Sequence, residues 1–299
     1  MAAAKSANRC DVLVIGRDLA VFVAALDCAR IGLKVDVWIP KADENQGPVS
    51  FSHRGGVVAA ALDELGVSYE ILIPEVGEEE VCGIPGNPFS QRVRKTLGWS
   101  GAWWVYLDRI KPVLTIGAEQ NLAKLVHSRM GEAALEKLVN PVLLERYGLP
   151  AEELTVDAVA PGLSQAMTRG GSLSNGVLEL IAEDPRVAQR VVVAGGLEAI
   201  TSAAQAKLEY FAATVTRVSD PTKKLSSGWK RAGVVLADFG EVELPEGIDT
   251  ERVAEVGASS EYPGLERAIP ASQHAALSMR RVLLSDPEKP PVGTLSFEG

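Results

Sequence analysis

Cysteine and histidine are scarce in this chain, three of each among 299 residues. Cys10, Cys28 and Cys82 form no C-x-x-C pair and have no metal-like spacing, and an odd thiol count suits a reducing compartment. His53, His127 and His274 stand far apart without ligand-like neighbours, so they read as solvated or packing histidines and no metal site is expected. The chain has no G-x-S-x-G elbow, no H-E-x-x-H helix and no P-loop, which leaves hydrolase and NTPase chemistry without an anchor. Positive charge is in deficit: 30 Lys and Arg against 39 Asp and Glu give a formal charge of -9, which argues against nucleic acid as a partner. Long apolar runs are missing too. Asp18 and Asp27 bracket the first one, and VVVA at 191–194 runs into Gly195-Gly196, so no transmembrane span is expected. The first ten residues have no apolar h-region. The expectation is a cytoplasmic protein whose only membrane contact would be peripheral.

What is present begins with DVLVIGRDLAVFVAALDCARIGLKVDVWIP, residues 11–40. Val12 to Ile15 is an apolar run ending at Gly16, where the chain turns. Leu19, Phe22, Val23 and Leu26 recur at helical spacing, Gly32 stops the helix, and Val35 and Val37 alternate into a second strand. This is the opening βαβ of a dinucleotide-binding fold.

Beyond it, KADENQGPVS is a polar connector, Val57 to Leu65 a helix closed by Gly66, and Val67 to Ile73 a strand. From Cys82 the texture changes. GIPGNPFS reads as loop, QRVRKTLGWSGAWWVYLDRI as helix, Thr115 to Pro141 as two helices, Leu154 to Met167 as a helix restarted at Pro161, and Val177 to Ala182 as another. At Val191 the α/β pattern returns with VVVAGGLEAITSAAQAKLEY, the strand ATVTRVSD and two more strands in GWKRAGVVLADFGEVELPE. The end is weakly patterned, with candidate strands at Val282–Leu284 and Thr294–Phe297. The fold class is therefore α/β, α+β overall. A Rossmann-like domain of residues 1–82 and 190–240 carries a helical insertion at 83–189, and residues 241–299 form a partial mixed-sheet substrate-type domain or an extension.

The nucleotide chemistry of the opening turn is altered. A G-x-G-x-x-G turn places its second glycine against a pyrophosphate and its third where helix and strand pack closely. Here the three places hold Gly16, Asp18 and Val21. Two like charges ~4 Å apart at an effective dielectric of 20 repel by roughly 4 kcal/mol, so a carboxylate at residue 18 opposes a phosphate there. Arg17 offsets part of this. Asp18 is also a good helix N-cap, satisfying the amides a phosphate would otherwise take. The second strand ends in Trp38-Ile39-Pro40, none of which accepts hydrogen bonds from a ribose; Asp36 lies within the strand, and Asp43 and Glu44 lie in the connector.

Several stretches together resemble the FAD-dependent protoporphyrinogen/coproporphyrinogen oxidases of the flavin amine-oxidase-like superfamily. They are the N-terminal βαβ, SFSHRGGVVAAALDELGVSYEIL, the run from GIPGNPFSQRVRKTLGWSGAWWVYLDRI to LVNPVLLERYGLPAEELTVDAVAPGL, GGSL at 170–173 and GGLEAI at 195–200. The resemblance implies an FAD domain, a membrane-associable helical domain and a mixed-sheet substrate domain. It also implies oxidation of a porphyrinogen to a porphyrin by hydride loss to FAD, with oxygen as acceptor. If FAD is bound, Gly16, Arg17, Asp18, Leu19, Trp38 and the backbone of Val215 are the positions that carry over. The departures are the two replaced glycines, the missing ribose acid, the lack of a Gly-Gly-Arg segment after the second strand, and the lack of a closing Gly-Asp or Gly-Asn turn with its helix.

Trp99, Trp103, Trp104 and Tyr106 cluster at helical spacing, with Arg92, Arg94, Lys95, Arg109 and Lys111 around them. Aromatic walls suit a planar tetrapyrrole, and Arg109 would meet its propionates; a core or interface patch and a solvated basic face are the structural alternatives. Three functions stay open. The favoured one is a porphyrinogen-oxidase-like protein that has lost FAD and binds a tetrapyrrole or a haem-pathway protein, as an oligomer or hetero-complex. The others are a working FAD-dependent oxidoreductase and a structural subunit without a small ligand.

Overall fold

The computed structural model describes residues 10–41, 47–112, 119–228, 232–244, 246, 249–259 and 262–285. Asp43, Glu44 and the candidate strand at Thr294–Phe297 lie outside them. The chain opens with β1 (Cys10–Ile15), α1 (Leu19–Arg30) and β2 (Val35–Pro40), and β1 pairs β2 in parallel with Val12 opposite Val35 and Ile15 opposite Trp38. Val12 to Ile15 are buried on both faces, as an unbroken apolar run in a parallel sheet requires. A short strand β3 (Val49–Ser52), helix α2 (Val57–Leu65) and strand β4 (Glu70–Leu72) follow.

A hairpin, β5 (Glu80–Val81) and β6 (Ile84–Pro85), leads into the helical insertion. There α3 (Gln91–Tyr106) kinks at Gly98, whose φ of +70° only glycine adopts easily. Then come α4 (Leu122–Met130), α5 (Glu132–Ala134), a π turn over Leu135–Val139, α6 (Asn140–Tyr147), α7 (Val156–Val159), α8 (Leu163–Gly170) and α9 (Leu173–Glu183). Their apolar faces form a core of their own, from Val81 to Leu180.

β7 (Arg190–Val193) returns to the first layer and pairs antiparallel with both β3 and β4. Next are α10 (Gly196–Tyr210), β8 (Thr214–Val218), α11 (Pro221–Gly228), β9 (Ala232–Ala237), β10 (Val253–Glu255) and α12 (Leu265–Leu284). The main sheet is five-stranded and all parallel, in the order β10-β9-β1-β2-β8. α1, α2, α10 and α12 share the apolar core on one face; the other face buries Leu13, Ile15, Trp38 and Val235 against Leu225 of α11.

Three expectations are corrected here. Val282–Leu284 is the last turn of α12 and not a strand. Only β9 forms among the described residues of 228–246, because the chain turns at Phe239-Gly240 straight after it. The stretch expected to be a partial substrate-type domain or an extension returns β10 and α12 to the Rossmann-like layer. With them comes a helix lying along α1, which the sequence was not expected to supply, after a turn that is Gly257-Ala258 and not Gly-Asp or Gly-Asn. Gln273 of α12 donates to the Asp27 carboxylate of α1 at 3.1 Å.

Candidate functional site

In a doubly wound sheet the ligand crevice lies beyond the carboxyl ends of the strands, at the point where strand order reverses. Here that point is the end of β1, with β9 and β10 to one side and β2 and β8 to the other. The β1 turn is tight: Gly16 has φ +149°, and a Cβ on it would meet Val21 Cγ2 at 2.8 Å and the Asp238 Cβ at 3.0 Å. Val21, at the third glycine place, therefore packs its branched side chain over the turn.

Asp18 caps α1, its Oδ1 accepting from the Val21 N–H at 2.8 Å. Its Oδ2 accepts the Ala258 N–H at 2.8 Å, from the turn after β10. That turn is held from behind as well, since the Gly257 N–H donates to the buried Ser272 hydroxyl of α12 at 2.9 Å. Gly257 has φ +98°, and a Cβ there would stand 3.1 Å from both Asp18 Oδ2 and Asp238 Oδ2. Two carboxylates thus converge beside the turn. Asp238 closes β9 by donating its N–H to the Ile15 carbonyl at 2.8 Å, and its Oδ1 accepts from the Gly240 N–H at 2.9 Å. Burial, then the Asp18 charge, pushes the Asp238 carboxyl up to about 7; burial also raises Asp18. Arg17 does not relieve the pair, because its Nε donates to Glu241 at 2.6 Å.

Of the other FAD positions, Leu19 is buried in the core as the first residue of α1. Trp38 is buried under α11 with the Lys224 ammonium 4.2 Å from its ring centroid. Asp36 shares the Trp38 face of the strand, and burial raises its carboxyl. Val215 sits in β8 opposite Val37, two strands from Gly16. The fold thus gathers Gly16, Arg17, Asp18 and Leu19, while Trp38 stands opposite Ile15 on the next strand and Val215 lies near the start of β8. Asp238, Gly257 and Ala258 were not anticipated; the only sequence signal was the glycine after an acidic strand end, Glu255-Val256-Gly257.

The aromatic cluster lies elsewhere, on the helical insertion. Trp99, Trp103 and Trp104 are 69%, 56% and 60% exposed. Trp103 lies 5.2 Å from Tyr106 between ring centroids, Phe89 lies 5.5 Å from Tyr106 and 6.4 Å from Trp99, and the Arg94 guanidinium covers Trp99 at 5.3 Å. Trp104 instead lines a groove with Leu97, Gly101 and Met130. Arg109 donates to the Gly86 carbonyl at 3.3 Å.

No protein-family model matches the chain, and no curated protein matches it. Solved structures do. One, from Exiguobacterium sp. 255-15 and provisionally assigned as a protoporphyrinogen oxidase, aligns with 76% of this chain at 15% identity and a TM-score of 0.51. At that identity the likeness shows a shared fold. An oxidoreductase from Methanosarcina mazei covers 77% of the chain at 13% identity and TM-score 0.40, and a putrescine oxidase redesigned in its cofactor site covers 81% at 13% and 0.40. The chain spans 59%, 58% and 62% of these three proteins.

The residues at the cradle do not fit the FAD pyrophosphate that the sequence resemblance implies. The amides of Val21 and Ala258, which could receive phosphate oxygens, are held by Asp18. The Val21 side chain and Asp238 close the space over Gly16, and the nearest guanidinium is paired with Glu241.

Proposed function

We propose that this chain keeps the flavoprotein fold as a scaffold without FAD in its cradle, and that the aromatic face of α3 holds a tetrapyrrole. The Asp18 carboxylate carries the first half of the reading. It supplies from within the chain the negative charge and the acceptor oxygens that a phosphate would bring. The second half rests on the exposed rings of Trp99 and Trp103, packed with Phe89 and Tyr106, with the Arg94 guanidinium over Trp99. A haem-pathway protein docked on the same face, in a hetero-complex, is the outcome favoured if porphyrin fails to bind.

Protoporphyrin titrated into the protein is expected to quench tryptophan fluorescence saturably. The exposed double variant W99A/W103A is expected to bind about tenfold or more weakly, through loss of two stacking contacts. Quenching that is absent, or unchanged in the double variant, sinks the tetrapyrrole reading. A working flavin oxidoreductase has the shared fold in its favour. It requires Asp18 and the turn at Ala258 to separate and admit a pyrophosphate.

A further inference from the structure

The three-stranded sheet β3-β7-β4 has two edges of different character. At one, β3 is in contact with α6 and α12. At the other, β4 pairs with β7 on one side and with no further strand among the described residues. An edge strand presents unpaired N–H and C=O groups, and proteins blunt such edges with lysine, proline or a covering element. Between Glu70 and Ile73 there is neither lysine nor proline. Ile71, Leu72 and Ile73 are all exposed, Ile73 to 71%, and Val76 just beyond them to 98%, so the open edge is also apolar. Beside it, between β4 and the end of α2, runs an open cleft of ≈ 580 Å³ lined by Asp63, Gly66, Val67, Tyr69 and Ile71. Tyr69 and Ile71, two positions apart, share the face that borders this cleft.

The charge around this edge is of one sign. Residues 55–91 hold seven acidic side chains and no Lys or Arg. Four of the seven are committed: Glu64 pairs with Arg30, Glu80 pairs with Arg92, Glu78 accepts the Arg92 amide at 3.0 Å, and Glu79 accepts the Gly77 amide at 2.8 Å. Asp63, Glu70 and Glu75 are exposed and have no cationic partner among the described residues; Asp63 accepts only the Tyr69 hydroxyl, at 3.2 Å. A second copy of the chain would bring the same carboxylates and a formal charge of -9 to the edge, so like charge opposes it. An extended segment in which Lys or Arg alternates with aliphatic residues complements both features, the apolar strand and the uncommitted acids. We propose that β4 takes up such a segment of a partner protein as a fourth strand, its aliphatic side chains on Ile71 and Ile73 and its cationic ones beside Glu70 and Glu75.

The test follows the fluorescence anisotropy of a labelled eight-residue peptide, lysine and valine in alternation, as the whole protein is titrated into it. Binding is expected to saturate and to weaken with added salt, since exposed charges contribute to it. Glutamate in place of the peptide's lysines is expected to abolish it. Methylating the peptide's backbone nitrogens removes its main-chain donors and keeps its charge, and is expected to weaken it by about tenfold or more. E70K/E75K is expected to weaken the lysine peptide by about tenfold and to admit the glutamate peptide. Both positions are exposed and neither carboxylate bonds to a described residue, so the variant folds. No binding, equal binding of the N-methylated peptide, or binding unchanged in E70K/E75K overturns the assignment. A protein dimer that the peptide dissociates puts a second copy on the edge and overturns it as well.

Discussion

Replacing Asp108 by alanine is expected to destabilise the protein by about 3–5 kcal/mol, the loss typical of a buried ion pair broken on one side. Asp108 is fully buried at the end of the kinked helix that carries the tryptophans. Its carboxylate accepts from Arg129 Nε at 2.6 Å and from the Leu173 and Ser174 amides at 3.1 and 2.8 Å, at the start of α9. Arg129 in turn donates to the carbonyls of Asp108, Lys111 and Pro112. One side-chain pair therefore ties α3, α4 and α9 together, and alanine leaves the buried guanidinium charge without its carboxylate and two helix-terminal amides unmet. The measurement is urea unfolding, with the midpoint falling at unchanged slope. Pairing the change with Arg129→Met should recover part of the loss, since the uncompensated charge goes with it. A wild-type midpoint for the single variant would refute this account of the insertion.

The second large effect concerns Asp238 and is a function of pH. Its folded value, about 7, lies above the ordinary carboxylate range, so the folded protein holds a proton that the unfolded chain releases. The stability tied to that proton is fully present below about pH 4 and is lost as pH rises towards and through 7. Lifting the carboxyl that far would correspond to about 4 kcal/mol as an upper bound; with the proton shared between Asp238 and Asp18, about 2 kcal/mol is expected between pH 4 and 8. Asp238→Asn keeps an acceptor for the Gly240 amide and carries no charge. Taken as equal to the wild type near pH 4, it should exceed it by about 2 kcal/mol at pH 8 and show a shallower profile between. Parallel profiles would mean that the two carboxylates do not oppose each other.

The first βαβ was legible because its signals are local: an apolar run, a 3.6-residue period and two glycines. Asp18 could be read as a cap from its place before Leu19, but not as the partner of Ala258, which lies 240 positions away. The closing strand and helix were missed for physical reasons. β10 has three residues, too few to show a period, and Pro270 inside α12 reads as a breaker. The pattern Leu265, Ala268, Ile269, Ser272, Ala276 was there at helical spacing behind Gly264, and every one of these residues is buried. The tryptophans were legible as a cluster, but their exposure was not, since helical spacing alone does not say which face meets a neighbour.

In the proposed function the Asp18 carboxylate occupies the anion position of the cradle and leaves no place for FAD. Its most direct test is calorimetric titration of FAD into the purified protein, with the visible spectrum recorded before and after. The account predicts a colourless protein, no heat beyond dilution and no flavin retained on desalting. Stoichiometric flavin in the purified protein, or saturable uptake of added FAD, would contradict it.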